Sequence, residues 1–129
     1  MTLTITPLYA AALTLLFFVL SWRVIRYRRA NQISLGDNDD KNLRKRMRAQ
    51  ANFVEYTPLA LILLLIAELQ GAPGVALHVM GLGLLTGRLL HAYGFASTPQ
   101  NIAMRQAGMG LTFLVLLIGA VAIFAHALF

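Results

Sequence analysis

Arg48, Asn52, Glu55 and Tyr56 follow one another at intervals of four, three and one residue. On an α-helix the first three share a face, because residues three and four apart are stacked neighbours. Their chemistries are complementary. A guanidinium grips a carboxylate through two parallel N–H donors. A carboxamide pairs with an amide, and a carboxylate pairs with an ammonium. The face therefore suits a small zwitterion. The same spacing also allows a plainer reading, in which Arg48 and Glu55 neutralise each other or fix helix register. Spacing alone leaves both open. Gln50 falls elsewhere on the wheel, where a neighbouring chain would be in reach. Pro58 lacks the N–H that would bond Val54, so a local bend is expected beside this group.

A second group lies in "GRLLHAYGF", where Arg88, His91 and Phe95 share a face at spacings of three and four. An arginine this deep in an apolar run must face protein or water rather than lipid. His91 reads as a hydrogen-bonded packing residue or as a base. Tyr93 has the character of an interfacial anchor. Arg105 begins a later apolar run, where a basic residue can simply snorkel to the membrane surface.

The elements that carry these groups are apolar throughout. Of 129 residues 58% are hydrophobic and 12% charged, with a mean hydropathy of +0.67. That leaves too little polar surface to cover a soluble core, so an integral membrane protein is expected. Four apolar runs, at roughly residues 3–22, 49–70, 75–95 and 103–128, are each long enough for a helix to cross a ~30 Å hydrocarbon core. The alternation of a membrane barrel is missing. The expected fold is thus an all-α membrane protein, a bundle of four transmembrane helices forming a single domain. The first run is too long, and its basic flank on the wrong side, for a cleaved signal peptide.

The charges fall on one side of that layout. Arg23, Arg26, Arg28, Arg29, Lys41, Arg44, Lys45, Arg46 and Arg48 lie in or beside the first connection, and Arg88 and Arg105 flank the third. The second connection and both termini carry no lysine or arginine. By the positive-inside rule connections one and three are cytoplasmic and both termini outside. This distribution accounts for the net charge of +6 without a nucleic-acid partner. The first connection, Trp22 to Arg48, reads as a long charged surface loop around "SLGDNDDKN".

Other features read as structural. Gly83 with Gly87, and Gly108 with Gly110, would let helices approach closely. Glu68, at the outer end of the second run, reads as solvated. His78 and His126 lack metal-ligand spacing, and the Asp37, Asp39 and Asp40 run lacks the positions of a calcium loop. No metal site is expected. The chain has no cysteine, so any thiol chemistry must arrive with a ligand.

"RAQANFVEYTPL", Arg48 to Leu59, resembles the second-helix signature of the membrane-associated proteins in eicosanoid and glutathione metabolism. "RRANQIS", "GRLLHAYGF" and Arg105 resemble further segments of that family, in its microsomal glutathione transferase and leukotriene synthase branches. His91 and Phe95 stand where the synthase branch has tyrosines. The resemblance implies a homotrimer that binds glutathione between adjacent protomers near the cytoplasmic face. It implies ligand contacts from Arg28, Arg29, Arg48, Gln50, Asn52, Glu55, Tyr56, Arg88 and His91. It further implies that Arg105 stabilises the glutathione thiolate for attack on a lipophilic electrophile or hydroperoxide reaching it through the membrane lipid. Two other classes remain open at this point: a non-catalytic member of the same fold, and a small four-helix multidrug-type transporter. The transporter class carries its carboxylate in mid-span of the first helix, where this sequence has none.

Overall fold

A computed structural model describes residues 2–129 of the chain. Its elements are α1 (Thr6–Asn31), α2 (Lys41–Leu69), α3 (Gly74–Ala96) and α4 (Ile102–Leu128). No strand occurs among the described residues. The shortest helix has 23 residues, about 34 Å at 1.5 Å per residue, so each can cross a bilayer. α2 runs unbroken through Pro58.

The first connection differs from its sequence reading. α1 continues past Trp22 to Asn31, and α2 begins at Lys41. The physical reason is a helix start inside the acidic run. Asp40 caps α2, its Oδ1 accepting from the Asn42 N–H at 2.9 Å and the Leu43 N–H at 3.2 Å. Those amides have no acceptor within the helix, so a carboxylate there stabilises the first turn. Only residues 32–40 form the loop. The basic residues of this region therefore stand mostly on helical turns, at fixed angles, rather than on a mobile tether.

α1 has no cap of its own, since Ile5 contributes no side-chain bond. Glu68, from the far end of α2, supplies one. Its Oε1 accepts from the N–H groups of Thr4 and Ile5 at 2.8 and 2.9 Å, and its Oε2 accepts from Thr6 at 2.6 Å. Glu68 is 8% exposed, which corrects the expectation of a solvated side chain. The positive end of α1 and its orphan amides hold the carboxylate under protein.

α2 and α3 are central. α1 packs on both, α4 packs on both, and α1 and α4 make no close backbone approach among the described residues. Leu13, Leu20, Phe53, Ala60, Leu84 and Val115 form the main buried cluster. Phe17 stacks on Phe53 with ring centroids 5.6 Å apart. On the outside, Leu15, Phe18, Leu117, Val121 and Phe124 are exposed. A continuous apolar exterior of this kind suits lipid rather than water.

The α3–α4 contact is the most extensive in the bundle. A Cβ on Gly108 would collide with the Gly87 carbonyl and lie 2.6 Å from the His91 nitrogen. A Cβ on Gly94 would lie 2.8 Å from the Arg105 nitrogen. These glycines let two backbones touch, and they bring His91 and Arg105 to the same end of the bundle. Gly83 makes only a van der Waals contact with Val115, and Gly110 faces open space. Gly110 is therefore not a packing glycine, contrary to the sequence expectation.

Candidate functional site

A cavity of about 280 Å³ opens at the end of α2, α3 and α4 that carries most of the basic residues. Its walls include Arg48 and Asn52 from α2, His91 and Phe95 from α3, and Arg105 and Gln106 from α4. Four-residue spacing accounts for the pairs on α2 and α3, and on α4 Arg105 and Gln106 share a face through Ile102 and Met109, three and four residues away. The glycine contact between α3 and α4 accounts for the meeting of the last two pairs.

Behind the cavity stands Arg88, only 1% exposed. Its Nη2 donates to Asn52 Oδ1 at 2.6 Å and lies 3.3 Å from His91 Nδ1. Its Nη1 lies 3.5 Å from Thr112 Oγ1 and 3.7 Å from Met109 Sδ. Among the described residues no carboxylate pairs with it. The Phe53 ring, 5.8 Å from its Cζ, gives weak cation–π support.

That geometry has a chemical consequence. A guanidinium has donors and no acceptor. Asn52 must therefore turn its carbonyl oxygen toward Arg88, and His91 must turn its unprotonated nitrogen there. Asn52 Nδ2 and the His91 Nε2–H remain as donors on two cavity-lining side chains. Arg48 and Arg105 add only donors. Four wall side chains thus offer hydrogen atoms to a ligand, against one carboxamide oxygen on Gln106, a balance that suits an anion.

Arg105 is held in place at this site. Its Nη1 donates to Gln100 Oε1 at 2.6 Å, and its Cζ sits 3.7 Å from the Phe95 ring centroid. Its Nε is buried without a partner among the described residues. A buried donor left unpaired is costly unless a ligand accepts from it. Arg48 meets Glu55 at 3.7 Å, with the two side chains 55% and 48% exposed. An ion pair that exposed contributes ~0–1 kcal/mol, so it opens easily.

The structure gathers only part of the expected set. Arg48, Asn52, His91 and Arg105 share one cavity, with Arg88 behind it and Glu55 tied to Arg48. Tyr56 turns toward α4 and packs edge-on against Phe113, ring centroids 5.4 Å apart. Gln50 Nε2 donates to Ser21 Oγ of α1 at 3.0 Å, so within this chain it is spent on the bundle. Arg28 donates to the Gly36 carbonyl at 2.8 Å and braces the loop. Arg28 and Arg29 line a separate cavity of about 430 Å³ with Ile25, Gln32, Ile33 and Ser34.

Several contributors escaped sequence reasoning. Gln100 reaches Arg105 from a loop, where no periodicity predicts direction. Gln106 and Met109 belong to α4 turns that read simply as helix. Thr112 did carry a signal, as a lone hydroxyl in an apolar run, and its Oγ1 donates to the Gly108 carbonyl at 2.8 Å. A further cavity of about 330 Å³, lined by Lys41, Arg44, Lys45 and Gln100, shares Arg48 and Phe95 with the first. The site is thus approached through basic surface.

Comparison with known proteins bears on the same segments. The chain is 36% identical over 114 residues to the inner membrane protein YecN of two Escherichia coli strains, an alignment covering 88% of this chain and 86% of theirs. The sequence model of the MAPEG family matches residues 6–125, from the start of α1 almost to the end of α4, and so takes in every residue that lines the cavity. A four-helix membrane protein with this signature on α2, matched over nearly its whole length, belongs to the MAPEG family.

Proposed function

We propose that the protein is a membrane-bound glutathione-dependent transferase or peroxidase acting on lipophilic electrophiles or hydroperoxides. The observation that carries this reading is the donor-rich cavity between α2, α3 and α4, organised by a buried arginine. Glutathione has two carboxylates, an ammonium and a thiol. The residues present fit it. Arg48, Asn52 Nδ2 and the His91 Nε2–H suit the carboxylates, and Glu55, paired with Arg48, suits the ammonium. The Arg105 guanidinium, which lines the cavity, suits an anionic sulfur.

When bound, glutathione supplies the sulfur nucleophile. Arg105 contributes a fixed positive charge that favours thiolate over thiol, whose ordinary pKa is ~8.5. Gln100 and the Phe95 ring hold that guanidinium in place. Phe95 also presents an apolar wall that limits water beside the charge. Arg88 keeps Asn52 and His91 in their donor orientations. The lipophilic partner arrives through the bilayer against the apolar exterior of the helices.

The reading includes assembly and orientation. A homotrimer would set the Arg28 and Arg29 cavity of one protomer against the Arg48, Asn52 and Arg105 cavity of the next, completing the ligand contacts. Connections one and three lie in the cytoplasm of a bacterial cell whose inner membrane holds the chain, with both termini outside. The inner-membrane designation of the YecN relatives supports this placement.

The test is conjugation of a chlorinated dinitrobenzene to glutathione by purified full-length protein, wild type against Arg105→Ala. Turnover by wild type and its loss in the variant are expected. A wild type at background in both conjugation and hydroperoxide reduction would end the catalytic reading. A second reading, a non-catalytic ligand-binding member of the family, is favoured by one observation: Arg105 is already engaged by Gln100 and Phe95. That reading predicts thermal stabilisation by glutathione without turnover. Ligand at 100 times its dissociation constant would add ~2.7 kcal/mol to stability in either case.

A further inference from the structure

A second basic cavity, of about 290 Å³, lies between α1 and the first turns of α2, away from the site above. Arg23, Arg26 and Tyr27 line it from α1 and Arg46 from α2. Arg23, Arg26 and Tyr27 are three and four residues apart and share a helical face. Arg46 is fixed in two ways. Its Cζ lies 4.5 Å from the Tyr27 ring centroid, and its Nη1 donates to the Asn42 carbonyl at 2.9 Å.

The chain has five acidic residues, and none forms an ion pair with Arg23, Arg26 or Arg46 among the described residues. Asp37 and Asp39 pair with Arg44. Asp40 caps α2 and accepts the Tyr27 hydroxyl at 2.6 Å. Glu55 pairs with Arg48, and Glu68 caps α1. Three guanidinium groups thus surround one cavity with no carboxylate paired to them among the described residues. Like charges gathered this way repel unless an anion joins them.

Position says which anion. Arg23 directly follows Trp22, and the exposed side chains of Phe18, Val19, Trp22 and Ile25 cover the adjoining surface of α1. Tryptophan at the end of an apolar span marks the headgroup level of a bilayer. The cavity therefore opens where lipid phosphates lie.

We propose that Arg23, Arg26 and Arg46 form a binding site for the phosphate ester of an anionic phospholipid headgroup. The cluster selects net negative charge, because a choline headgroup would bring a cation against three guanidinium groups. The site is independent of the glutathione reading.

The test is native mass spectrometry of detergent-solubilised full-length protein titrated with phosphatidylglycerol and with phosphatidylcholine of the same acyl chains. Phosphatidylglycerol is expected to bind at least several-fold more tightly. Each basic residue near a membrane surface contributes enough that Arg46→Gln or Arg23→Gln should weaken phosphatidylglycerol binding by about fivefold. The charge-matched Lys41→Gln should weaken it less than twofold, and Arg46→Lys should restore most of the loss. Arg26, whose side chain is exposed, provides a variant that leaves packing intact should Arg46→Gln unfold. Equal binding of the two lipids, or equal losses in Lys41→Gln and Arg46→Gln, would overturn the proposal. Displacement of phosphatidylglycerol by millimolar inorganic phosphate would assign the site to a soluble anion and overturn the lipid assignment.

Discussion

Arg88 Nη2 stands 2.6 Å from Asn52 Oδ1, joining the middle of α3 to the signature segment of α2. The cation is buried and has no carboxylate partner among the described residues. Its role follows from what it touches: it accepts nothing, so it dictates which atoms of Asn52 and His91 face the cavity. The donor character of the site thus depends on a residue that does not line it.

Removing that cation should loosen both the fold and the site. A hydrogen bond to a charged group contributes about 1.5–3 kcal/mol, so Arg88→Met should lose at least that much stability. Arg88→Lys keeps the charge but cannot fork toward two partners, and should fall between. Thermal unfolding with and without glutathione measures both effects. If the proposed function holds, glutathione affinity is expected to drop about tenfold, the equivalent of ~1.4 kcal/mol. Wild-type affinity in a folded Arg88→Met protein would refute the orienting role.

Gly108 and Gly110 make a matched comparison on α4. Alanine at Gly108 would strike the Gly87 carbonyl and crowd the His91 backbone. Neither obstacle is a flexible side chain, so α3 and α4 must separate, at a cost of roughly 1–3 kcal/mol or more. Alanine at Gly110 meets nothing within 4 Å and should raise stability by up to ~1 kcal/mol through helix propensity. Opposite shifts in melting temperature are expected. Equal shifts would show that the α3–α4 contact does not depend on Gly108.

Glu68 should act as a structural cap without affecting the ligand cavity. Glu68→Ala leaves three amides of the α1 start without their acceptor, which costs about 1–3 kcal/mol. Hydrogen exchange at Thr4, Ile5 and Thr6 should accelerate while glutathione binding is unchanged. Slow exchange at these amides in the variant would mean that water or another group caps α1 equally well.

The α1–α2 connection should be sensitive to acid. The Arg44 side chain, donating to Asp37, holds that carboxyl below its ordinary value of 3.8. The Tyr27 hydroxyl does the same for Asp40. A depressed folded-state value means the stabilisation is complete above the unfolded value and is lost as pH falls through the folded one. The connection should therefore be unaffected from neutral pH to about pH 4 and loosen below it. Exchange at the Asn42 and Leu43 amides reports this, and Asp40→Asn should remove the transition assigned to Asp40.

Much of this molecule was legible before folding. Four apolar spans, the single-sided distribution of charge and the shared face of Arg48, Asn52 and Glu55 all follow from composition and a 3.6-residue period. These are properties of one helix at a time. Helix ends were harder. Asp40 sits directly before Lys41 as a cap should, yet the charged run around it reads as loop, because capping depends on where one side chain points.

Relations between helices needed the tertiary structure. It decided that Arg88 is buried behind Asn52 and His91, that Gln50 turns to Ser21, and that Arg28 and Arg29 stand apart from Arg105 within one chain. It decided that Glu68 serves α1 rather than solvent. The physical reason is the same throughout. A helical period sets a side chain's angle about its own axis, whereas the angle at which that axis faces its neighbours is set by packing, here by Gly87, Gly94 and Gly108.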